Sequence, residues 1–119
     1  MASALLWFTI ALLIAHELDA VRAREWRVLP LTAFLPDRTG RAVFVWAHVP
    51  LTLLVIWIAG LAPEHPAALA LAGFALVHLG LHLAYRRHPA HDFHGVGPWA
   101  LIVLPALTGT AQLVVSLTG

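Results

Sequence analysis

Four stretches of this sequence stay apolar for about 20 residues at a time, the length at which a helix crosses the hydrocarbon core of a bilayer. They run from Ser3 to Val21, Val43 to Leu61, Ala67 to Tyr85 and Pro98 to Leu117. A backbone in lipid must satisfy its own hydrogen bonds, so runs of this kind become helices. The expected fold is therefore all-α: a polytopic membrane four-helix bundle, with one domain over residues 1–119. Composition agrees, since a chain that is 61% hydrophobic and 11% charged has too little polar surface for a soluble domain. Pro50, Pro105 and Gly109 fall inside spans, where neighbouring helices re-satisfy the freed backbone groups. The N-terminal run is expected to be retained as a span. No basic region precedes Leu5, and His16-Glu17-Leu18-Asp19 stands where a small-residue cleavage site would lie.

The connections set the topology. Ala62-Pro63-Glu64-His65-Pro66 is a tight turn, which predicts that spans two and three are antiparallel neighbours. The first span is expected to continue as helix through Arg22, Arg24 and Trp26. The apolar linker Val28–Pro36 is then expected to lie in the interface or dip shallowly into it. Arg22, Arg24, Arg27, Arg38 and Arg41 lie in the first connection, and Arg86 and Arg87 in the third. Those two connections share one side of a four-span chain. The positive-inside rule makes that side the cytoplasm, with both termini outside and the protein in the cytoplasmic (inner) membrane. A formal net charge of +1 and the lack of any basic run give no footing for a nucleic-acid partner. Small residues such as Ala68, Ala72 and Gly73 suit helix packing within one chain or between copies of a homo-oligomer.

Eight histidines in so short a chain are the anomaly. His16, His48 and His78 each fall roughly 7–10 Å inside the cytoplasmic boundary of their spans at the usual helical rise. His82 follows His78 by one turn, so one helix face offers two imidazoles, with Tyr85 continuing the stripe. Asp19 shares a face with His16, whereas Glu17 lies about 100° round the helix and addresses a different neighbour. Ionisable side chains at this depth pair, coordinate an ion or line a polar cavity. Three spans thus supply imidazoles and carboxylate without thiolate, because cysteine is absent. That donor set suits zinc or non-haem iron. The candidate ligands are His16, Asp19, His48, His78 and His82, with Glu17 and Glu25 as candidate catalytic bases or ligand-orienting groups. His91 and His94, in the third connection, are within reach of folding back toward the same level. The soluble signatures HExxH and GxSxG are missing, and no glycine-rich loop cradles a phosphate.

The run His16-Glu17-Leu18-Asp19-Ala20-Val21 with Glu25-Trp26-Arg27 resembles a family of small bacterial four-helix integral membrane proteins of unknown function. The likeness continues through Val43-Phe44, His48-Val49-Pro50-Leu51 and His78-Leu79-Gly80-Leu81-His82, which is most of the chain. It is also distantly similar to HXXEE-type membrane proteins, although Asp19 and Ala20 replace the double acid. The resemblance implies the fold and the grouping of these residues, and no reaction.

Three functions compete at this stage. One is a metal-dependent hydrolase or oxidoreductase acting on a small molecule that enters from the lipid phase. A second is a redox carrier with haem held between two histidines. The third is a non-catalytic subunit or sensor whose polar residues only hydrogen-bond the bundle together.

Overall fold

The computed structural model describes residues 1–119 and contains helices and turns without a strand. Helix α1 spans Ala2–Arg22, α2 Asp37–Ala59, α3 Pro66–Tyr85 and α4 Val96–Thr118. Each is long and apolar enough to cross a membrane. Helix α3 starts where its sequence says it should: Pro66 takes the first turn, and the His65 side chain accepts a hydrogen bond from the Ala67 amide. Gly95, at φ 85° and ψ 179°, supplies the glycine-only backbone that leads into α4.

The first connection departs from expectation. Helix α1 stops at Arg22 instead of running on through Trp26, because Arg24 adopts the left-handed conformation at φ 53°. A single 3₁₀ turn, Glu25–Arg27, follows and sends the chain back along the bundle. Buried Trp26 anchors it: the indole donates to Asp37 (2.8 Å), and Thr32 donates to the Trp26 carbonyl (2.7 Å). The indole also lies against Gly40, where a β-carbon would sit 3.0 Å from Cδ1. Leu31 and Phe34 of the linker are exposed. Asp37 opens α2, so this helix begins well before Val43, where apolar sequence begins.

Helices α1, α3 and α4 make the close-packed unit, with α4 antiparallel to both others. Thr9 of α1 donates to Thr108 of α4 (2.8 Å), while Arg22 at the other end reaches the Asp92 carbonyl just before α4 (3.2 Å). Helix α4 comes so near α3 that a β-carbon on Gly109 would fall 2.8 Å from the Ala72 carbonyl oxygen. Gln112, also buried, donates to the Ala68 carbonyl at 3.3 Å. Helix α2 stays marginal. Ile58 and Ala59 join Leu6, Ile10, Leu13, Ala68 and Leu71 in one apolar cluster, and Phe44 joins Ala20, Ala23 and Trp26 in the other. Its contact with α3 is thus confined to the tight turn. The antiparallel pairing expected from that turn holds only at its end.

Candidate metal centre

Helix α1 carries His16 to the arginine-rich end of the bundle, and α3 brings His78 and His82 from one face. The 3₁₀ turn after Arg24 folds Glu25 back over them. One donor atom from each of His16, Glu25, His78 and His82 lies within 4.8 Å of all the others. The imidazole centroids are 4.4 Å apart for His16–His78, 4.9 Å for His16–His82 and 4.7 Å for His78–His82. Glu25 Oε2 is 3.6 Å from His16 Nε2, and Oε1 is 3.8 Å from His82 Nε2. Phe93 closes one side by stacking on His16 at 5.3 Å.

The donors are buried and short of partners. His16 is 0% exposed, and neither of its nitrogens makes a hydrogen bond. Glu25 Oε2 and His78 Nδ1 are in the same state. Each such atom costs about 1–3 kcal/mol when buried without a partner. A neutral imidazole carries a hydrogen on one nitrogen, so His16, His78 and Glu25 each offer at least one unpartnered lone pair in a cluster that could hold a metal ion. Tetrahedral coordination at zinc–nitrogen distances would set the donors about 3.3 Å apart, so the arrangement needs only a modest contraction around an ion. Burial raises the Glu25 carboxyl, but the neighbouring imidazoles of His16, His82 and His78 outweigh it and hold the group below its ordinary range. Glu25 is accordingly an anion among imidazoles.

One further histidine supports the cluster. His91 is buried in the connection before α4, and its Nε2 lies 3.3 Å from His82 Nδ1. Burial, with His94 nearby, pushes the His91 imidazole down. A neutral His91 can accept the Nδ1–H of His82, which orients the His82 ring and leaves its Nε2 lone pair facing Glu25. Beside the cluster lies a cavity of about 130 Å³ walled by Leu29, Pro30, Leu81, Tyr85, His91 and Phe93.

The other candidates lie elsewhere. Asp19 accepts from Arg22 Nε at 2.6 Å and is not among the clustered donors. His48 and Glu17 meet each other between α2 and α1. His48 Nδ1 donates to the Phe44 carbonyl (2.6 Å), and its Nε2 is 2.8 Å from Glu17 Oε2. Since the carbonyl can only accept, Nδ1 must carry a hydrogen, and the Nε2–Oε2 contact holds one further proton. His65 and His88 have local backbone roles, and His94 is exposed. Sequence reasoning placed Glu25 as a base and missed Phe93. The signal for Glu25 was its place in the Glu25-Trp26-Arg27 run that carries the family resemblance, without a geometry to use it.

Fold and cluster together define a class: a four-helix protein with the dimensions and apolarity to cross a membrane, carrying a histidine–carboxylate group able to hold a metal ion. The chain belongs to a family of unknown function, DUF6713, whose sequence profile matches residues 2–119. No curated protein and no solved structure matches it.

Proposed function

We propose that this protein is a membrane-embedded metalloprotein in which His16, His78 and His82 bind zinc or non-haem iron and Glu25 serves the fourth position. The observation that carries the reading is the convergence of buried, unpartnered nitrogen and carboxylate atoms within 4.8 Å. A purely structural role would leave these groups hydrogen-bonded across helices, which His16 is not. The haem alternative is less well supported, because the three imidazoles pack directly on one another with no slot for a macrocycle. A bound ion would supply Lewis-acid activation or redox chemistry. As the fourth ligand Glu25 would offset the charge of the ion, His91 would fix the His82 ring, and the adjoining cavity would admit an apolar molecule from the bilayer. The arginine distribution supports an orientation with the site toward the cytoplasm.

Cobalt(II) is the test. Chelator-stripped protein titrated with cobalt should give the intense visible absorption of a four- or five-coordinate ion at one equivalent, and His16→Gln should abolish it. A pale, six-coordinate aqua spectrum in the unmutated protein would overturn the reading. Zinc in protein as isolated would direct the search to hydrolysis, and iron to oxidation.

A further inference from the structure

A second concavity lies on the same end of the molecule, outside the histidine cluster. It is a cleft of about 440 Å³ between the first and third connections, lined by Arg22, Arg24, Arg27, His91, Asp92 and His94. Two of its arginines are already held in place. Arg22 donates to Asp19 and Arg27 to Asp37, each at 2.6 Å, and Arg22 also reaches the Asp92 carbonyl. The Arg24 side chain has neither a hydrogen bond nor a carboxylate within ion-pair distance, although the residue occupies a left-handed backbone position that residues with a β-carbon avoid. Backbone strain of this sort is characteristic of binding sites. The cleft therefore holds two guanidinium groups positioned by Asp19 and Asp37, the Asp92 carboxylate, and one guanidinium without a partner, whose free donors favour an anion with several acceptor oxygens.

What adjoins the cleft narrows the anion further. His91 lines both it and the smaller cavity, whose other walls include Leu29, Pro30 and Leu81 and which reaches Glu25, His78 and His82. An arginine-lined cleft and an apolar cavity share one wall, and both open at the end of helices long enough to cross a bilayer. A molecule with a phosphate group beside apolar chains matches that sequence of surfaces.

We infer that the arginine cleft binds the phosphate group of an anionic phospholipid, with Arg24 as its principal free contact. The cleft as a lipid site stands on its own geometry. Its further role, presenting that lipid to the histidine cluster as substrate, rests on the metal reading above.

Binding is measured on chelator-stripped full-length protein in a neutral detergent, so the result does not depend on a metal. The probes are short-chain phosphatidic acid, short-chain phosphatidylcholine and inorganic phosphate. Phosphatidic acid should bind at least tenfold more tightly than phosphatidylcholine, with inorganic phosphate competing only at far higher concentration. Arg24→Gly and Arg24→Asn, residues that accept the left-handed backbone, should each remove that preference at unchanged melting temperature, and Arg24→Lys should restore part of it. No preference in the unmutated protein, or its survival in both Arg24 variants, overturns the inference. Inorganic phosphate competing as well as the lipid would also overturn the phospholipid assignment, leaving a plain phosphate site. A preference that is present in a protein unable to bind cobalt upholds the lipid site and overturns only the metal reading.

Discussion

His16 is a side chain whose value to the fold changes sign with what occupies the site. Without an ion, two buried nitrogens lack partners, and removing a polar group of that kind is neutral or stabilising when the replacement fits. His16→Leu, close in volume, removes those nitrogens but also the imidazole beside the Glu25 carboxylate, so the chelator-stripped protein should stay folded with the two effects offsetting each other, while metal uptake is abolished. A large loss of thermal stability in the stripped protein would show instead that His16 ties the helices together. The same imidazoles set the pH dependence. Ligation needs neutral rings, so protons compete with the ion, and apparent affinity should fall as the pH is lowered. Titrations at several pH values check this; an affinity independent of pH down to the limit of folding would contradict it. Among residues, the His78–His82 pair was legible because four positions on a helix put two side chains on one face. The neighbourhood of Glu25 was not. It depends on a left-handed turn at Arg24, a conformation that an arginine codon does not announce.

At the level of elements, the connection between α1 and α2 decides whether Glu25 reaches the cluster. Asp37 accepts from both the Trp26 indole and Arg27, and so pins the 3₁₀ turn. Asp37→Ala should loosen that turn, lower metal affinity about 10- to 100-fold and speed proteolysis within residues 23–36, leaving the helices intact by circular dichroism. An unaltered affinity would show that Glu25 is held by other means. The α3–α4 contact has a different dependence. Gly109 lies under the Ala72 carbonyl, and Gly109→Val should push the helices apart at a cost of about 1–3 kcal/mol, read as a lower melting temperature. Helix existence was plain from hydropathy alone. Which helices pack together was not, because helices meant for lipid are apolar on every side and lose the one-face pattern that marks a soluble core. That is why His48 read as a member of the cluster: its depth suits the site, but α2 meets α1 on the Glu17 face.

The molecule as a whole is polarised. Threonines and Gln112 join the helices toward one end, and nearly all the ionisable side chains gather at the other, around the histidine cluster and the arginine cleft. The proposed orientation puts the second end in the cytoplasm. With no native cysteine, single thiols at Glu64→Cys and Arg87→Cys report it cleanly. An impermeant reagent should label the former in intact cells and the latter only after permeabilisation, and the reverse would invert the topology. The central claim, that the clustered donors hold a metal ion, is tested most directly by elemental analysis of detergent-purified, untagged protein isolated without chelators. It should be set beside His78→Ala/His82→Ala and His48→Ala variants. The account predicts close to one zinc or iron per chain, lost in the double variant and retained in His48→Ala. Folded protein without metal in every form, or metal that survives loss of both α3 histidines, would contradict it.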